Sequence, residues 1–155
     1  MDNPKRIDNP KKHIRYKDNE EEVPPLQPMV FSERHRRYIR YALRRANDAP
    51  DQMFRLGCII VKHCAVISSG TNNMKKTHPR AIGYDYPFLH AELDAMIGVD
   101  AEELHGSTMY VARQRASSIG LAKPCSFCLA QMRKFSIKEV YFTTYGGGIE
   151  YMDLR

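Results

Sequence analysis

The sequence predicts an α/β domain of three layers, with helices on both faces of a mixed five-stranded sheet whose last two strands form an antiparallel hairpin. Three observations carry this expectation. Strand-like and helix-like segments alternate in the order helix, two strands, helix, strand, helix, two strands. A chain of 155 residues is long enough for one domain with a buried core. Only Gly146-Gly147-Gly148 separates the last two strands, which is too short for a parallel crossover.

Residues 1–30 read as a flexible tail, and residues 31–155 as the folded domain. The tail holds Pro4, Pro10, Pro24, Pro25 and Pro28, the acidic run Glu20-Glu21-Glu22, and few large apolar residues. Such a segment buries too little surface to offset its ordering entropy. A docking or nucleic-acid arm is the alternative to it. The first helix should start at Ser32, a good N-cap residue. Tyr38, Ile39, Ala42, Leu43 and Ala46 form one apolar stripe at helical spacing. Six arginines from Arg34 to Arg45 fall largely off that stripe. They make either a solvated face or one that attracts phosphate. Asn47-Asp48-Ala49-Pro50 should end the helix.

Phe54 to Lys62 and Ala65 to Ser69 read as a hairpin of two buried strands, turning at His63-Cys64. Cys58 fits as a small buried hydrophobe and Cys64 as a turn residue. Gly70 to Phe88 reads as a long polar loop, the kind that is often functional. A second helix is expected from Leu89-His90 to Ile97, and a strand from Thr108 to Ala112. Arg113 to Lys123 reads as another long loop. A third helix should run from Cys125 to Phe135 behind Pro124. Strands from Glu139 to Tyr145 and from Ile149 to Leu154 complete the hairpin.

Composition narrows the function classes. No apolar run approaches the roughly 18 residues of a membrane span. The first residues lack the apolar stretch of a secretory signal, so a cytoplasmic location is expected. The net charge is +6, and the surplus sits in the first third. Residues 1–45 hold 12 Lys/Arg against 7 Asp/Glu. An anionic partner suits that balance.

Two short motifs stand out, His90-Ala91-Glu92 and Pro124-Cys125-Ser126-Phe127-Cys128, each at an expected helix start. One imidazole and two thiolates suit zinc. Three protein ligands leave a fourth position open, as in catalytic sites. Cys125 and Cys128 share one side of a first helical turn, where free N–H groups favour thiolate. His90 and Glu92 are two apart and can converge only at a helix entry. Taken alone, the cysteine pair also admits a redox dithiol. A structural zinc site completed by His63, His78 or His105 is the other alternative. Neither accounts for Glu92 beside His90. Tyr84, Tyr86, Pro87 and Phe88 could wall a pocket for a planar ring or simply pack as loop. Arg80, Arg113 and Arg115 read as solvent-facing cations that could meet phosphate.

From about Phe31 to Arg155 the chain resembles the cytidine deaminase-like superfamily, whose signature is H-x-E…P-C-x-x-C. Gly57 to Lys62 is similar to that family's first strand, and Gly70-Thr71-Asn72 to its Gly-x-Asn. The resemblance implies one Zn2+ per chain on His90, Cys125 and Cys128. It implies Glu92 as the catalytic proton carrier, with Asn72, Ala91, Phe88 and Tyr86 against the substrate. The implied reaction is hydrolysis of a C–N bond in a cyclic amidine, with cytosine of a nucleoside or nucleotide becoming uracil. Deamination of cytosine or adenine within single-stranded nucleic acid is the alternative. A non-catalytic, zinc-stabilised interaction module is the other. The superfamily also implies a homo-oligomer. Asp94 stands where relatives carry asparagine, and Phe127 replaces the methionine of tRNA enzymes. The closing hairpin resembles free cytidine deaminases, although His90 does not. With the long loop before Pro124, these features resemble a divergent phage- or toxin-type branch.

Overall fold

The computed structural model describes residues 31–51, 53–77 and 88–155. The expected tail, and with it His78, Arg80, Tyr84, Tyr86 and Pro87, lies outside the described residues. Helix α1 spans Glu33–Ala46, and its N-cap Ser32 accepts a hydrogen bond from the His35 amide. Tyr38, Ile39, Ala42 and Ala46 of the expected stripe are buried, and Leu43 is half-buried. Strand β1 (Arg55–Lys62) and strand β2 (Ala65–Thr71) form the expected antiparallel hairpin. His63 and Cys64 turn it with φ of 51° and 64°. β2 is not buried as expected. It is the outer strand of the sheet, and Ala65 and Val66 face solvent.

The segment from Gly70 to Phe88 is not all loop. Asn73–Thr77 forms β3, which pairs antiparallel with β4 (Phe88–Leu89) in a small separate sheet. Helix α2 (Ala91–Met96) and a short α3 (Ala101–Leu104) follow. Strand β5 (Thr108–Gln114) runs further than expected, and β6 (Ile119–Gly120) folds back onto it. Helix α4 (Ser126–Lys134), strand β7 (Glu139–Thr143) and strand β8 (Ile149–Asp153) end the fold.

The main sheet has the order β2-β1-β5-β7-β8, with β6 paired to β5. β5 and β7 are parallel, and β7 and β8 form the expected antiparallel hairpin. Alternation along β1 divides the core. Ile59 and Val61 face α1, together with Tyr110 and Tyr141. Cys58 and Ile60 face α2 and α4, with Met109, Val111, Val140 and Phe142. Two glycines set how closely the helices sit. A Cβ at Gly57 would overlap the Ala42 carbonyl and the Ala46 amide of α1. One at Gly70 would lie 2.6 Å from the Ala91 carbonyl oxygen of α2. No helix among the described residues is long and apolar enough to cross a membrane.

Candidate metal centre

His90 and Cys125 occupy the N-cap positions of α2 and α4. Ser, Thr, Asp or Asn usually stand there and bond the exposed amides. Neither His90 nor Cys125 makes such a cap bond. The two side chains point at one another instead. His90 Nδ1 lies 3.5 Å from Cys125 Sγ and 3.4 Å from Cys128 Sγ. All three donor atoms fall within 4.8 Å of one another. Zinc bonds of about 2.0–2.3 Å at a tetrahedral angle place nitrogen and sulfur donors about 3.5 Å apart. Both nitrogen–sulfur separations therefore match those of a zinc site.

Burial and hydrogen bonds polarise the two thiols. Cys125 is held down to about 4, first by the hydrogen bond from Cys128 and then by His90, with burial opposing both. Cys128 is pushed well above the ordinary thiol value as donor of that bond, and burial adds to the shift. Cys58 is also raised by burial, and it is a core residue with no part in the donor group. His63 and His105, the described candidates for a fourth ligand, line a cleft under α1 on the other face of the sheet. The described donor group thus has three members.

Glu92 is in the first turn of α2 and only 4% exposed. Its Oε2 lies 3.7 Å from Cys128 Sγ. Burial lifts its carboxyl above the usual range, and nearby His90 partly offsets that. Ala91 is buried between the two motif residues. The Phe88 ring sits 4.9 Å from the His90 ring, at the entry to α2.

Asn72 is buried at the end of β2. Its Oδ1 accepts from the Leu56 amide at 2.9 Å, and its Nδ2 donates to the Phe54 carbonyl at 2.8 Å. Asp94 of α2 accepts from the Thr71 amide at 2.9 Å. That pairing ties α2 to the strand carrying Asn72, a contact the sequence alone did not reveal. Arg113 differs from the solvent-facing reading. It is buried, with its guanidinium 4.9 Å from the centre of the Phe54 ring. Arg115 is exposed as expected. Thr143 was also missed. Its hydroxyl accepts from the Arg113 amide at 3.1 Å and donates to the Gly120 carbonyl at 2.8 Å, clamping the segment before Pro124 against β5.

A mixed sheet that brings an imidazole, two thiolates and a buried carboxyl to two facing helix starts defines a zinc hydrolase of the deaminase type. The chain belongs to the family defined by the cytidine and deoxycytidylate deaminase zinc-binding region, whose model matches residues 32–144. Zinc, one per chain, is accordingly its cofactor. Among solved structures, cytidine deaminase from Burkholderia pseudomallei is similar with a TM-score of 0.56 and 20% identity, over 77% of this chain and 92% of that one. The dCMP deaminase of the cyanophage S-TIM5 in apo form has a TM-score of 0.51 and 18% identity, over 77% and 86%. The same enzyme in complex with dCMP and dUMP gives 0.50 and 18%, over 77% and 85%. At such identities the likeness is one of fold. Among curated proteins, none matches significantly in sequence.

Proposed function

We propose that the chain deaminates a cytosine-bearing nucleoside or nucleotide to the uracil analogue, releasing ammonia. The observation that carries this reading is the buried Glu92 carboxyl beside the three-donor group. His90, Cys125 and Cys128 would hold the metal. Zinc bound there would supply the Lewis acidity that makes water a nucleophile near neutral pH.

Glu92 has the acid–base part. Its carboxylate takes a proton from the attacking water and passes it to the ring nitrogen beside the amine-bearing carbon. It then takes the remaining proton from the hydroxyl added to that carbon and delivers it to the amine, so that the C–N bond breaks, the carbonyl forms and ammonia departs. A carboxyl lifted by burial is suited to both directions of transfer. Catalysis of this kind contributes roughly 10²–10⁴ in rate. Asn72 keeps one amide N–H beyond its two backbone bonds, and that donor is assigned to substrate. Phe88 is assigned to the wall against the base, and Ala91 to its edge. The cyanophage neighbour described with dCMP and dUMP motivates including nucleotides.

Ammonia release from cytidine, deoxycytidine, their monophosphates, cytosine, adenosine and guanine tests the reading. Turnover confined to cytosine-bearing compounds is expected. Turnover of adenosine or guanine alone would overturn it.

A further inference from the structure

The basic surplus of the first third belongs to α1. Residues 1–30 carry six Lys/Arg and six Asp/Glu and so contribute no net charge. Residues 31–45 carry six arginines against Glu33 alone. Arg40 pairs with Glu33 at 2.6 Å and Arg45 with Asp48 at 3.2 Å. Arg34, Arg36, Arg37 and Arg44 are exposed and have no ion pair among the described residues. Arg36, Arg40 and Arg44 also follow one another at helical spacing, where like charges repel.

The row does not stop at the helix start. A cleft of about 540 Å³ opens there, lined by Arg34, Lys62, His63, His105 and Lys138. Its one carboxylate, Glu139, is engaged by the Thr108 hydroxyl at 3.2 Å and by Lys138 at 3.8 Å. Along α1, Arg34 and Arg44 are separated by about 15 Å of helix. Half-buried Tyr41 lies between Arg37 and Arg44 in sequence, with the Arg44 guanidinium 4.9 Å from its ring centre.

We infer that the α1 face and the cleft at its start form a binding track for a single-stranded polynucleotide. Spaced cations are what a phosphodiester chain requires, and an aromatic among them suits unstacked bases. A flexible strand can follow the row into the cleft. The track lies on the face of the sheet opposite α2 and α4, so it is independent of how the metal centre is read.

Fluorescence anisotropy of a labelled single-stranded 15-mer with the zinc-loaded 155-residue chain tests this. Four phosphate contacts, by Arg34, Arg37, Arg44 and Lys62, predict a log–log salt slope of about −3, hence about fifty-fold weaker binding at 200 mM than at 50 mM salt. An Arg37→Gln/Arg44→Gln protein should bind about tenfold more weakly at low salt, with a slope shallower by about 1.4. An Arg34→Gln/Lys62→Gln protein should weaken binding at the cleft end. A Glu92→Gln protein should bind as the wild type does, which separates strand binding from turnover. No binding at 50 mM salt, binding unchanged in both double variants, or equal affinity for a duplex of the same length would overturn the proposal.

Discussion

Gly70→Ala joins the packing of the sheet to the chemistry of the metal centre. The added Cβ would sit 2.6 Å from the Ala91 carbonyl oxygen and 2.9 Å from Ala95 Cα, where ordinary contact begins near 3.4 Å. Both neighbours are backbone, so α2 must back away by the better part of an ångström. Ala91 lies between His90 and Glu92, so both travel with it. Overpacking of this kind costs about 2 kcal/mol, within a usual range of roughly 1–3. For a chain of this size that lowers Tm by about 4–8 °C. A shift near 1 Å in a reacting group can cost about 10²-fold in rate. Thermal melts and kcat/KM on the preferred substrate measure the two effects. Gly57→Ala is the control, because its clash falls on α1, which carries none of the proposed catalytic groups. It should lower Tm comparably and leave kcat/KM close to wild type. Wild-type activity in Gly70→Ala, or equal losses of activity in both variants, would refute the coupling through α2.

Thr143→Val keeps the shape but strips partners from the Arg113 amide and the Gly120 carbonyl. A loss of about 1–3 kcal/mol is expected in denaturant melts. Cys128→Ser replaces a buried thiolate donor, and zinc content by elemental analysis should fall well below one per chain. His35 stacks on Tyr141 and meets the Tyr110 hydroxyl at 2.8 Å, and burial and Arg34 lower its pKa while Glu139 opposes them. The folded state therefore binds its proton less readily than the unfolded chain. The His35 contribution is full above an unfolded value of about 6.5 and is lost as pH falls from there through the folded value. Tm measured from pH 7.5 down to pH 5 should fall more steeply in the wild type than in His35→Asn.

Much of this was legible because the signals are local. Ser32 and the Tyr38–Ala46 stripe specify α1 within a few turns of chain. Three glycines force the closing hairpin. The two motifs announce their own helix starts, and the structure adds that His90 and Cys125 forgo capping to face each other. What escaped is either polar or long-range. Asn73–Thr77 has no apolar alternation, so β3 reads as loop until Phe88–Leu89 pairs with it. Ala101–Leu104 is one turn, too short for periodicity to register. β2 carries an apolar start yet lies at the edge, and sheet order cannot be read from a strand's own residues. Arg113 is buried with its guanidinium over the ring of Phe54, far away in sequence. Asp94 and Thr143 act on backbone groups of other strands, which no spacing rule locates.

The central claim is that Glu92 moves the protons while His90, Cys125 and Cys128 hold the zinc. The direct test is single-turnover ammonia release by zinc-loaded Glu92→Gln, with metal content measured on the same sample. The account predicts about one zinc per chain, a near-wild-type melt and a rate lower by roughly 10²–10⁴. A fully metallated Glu92→Gln protein that releases ammonia at the wild-type rate would contradict it.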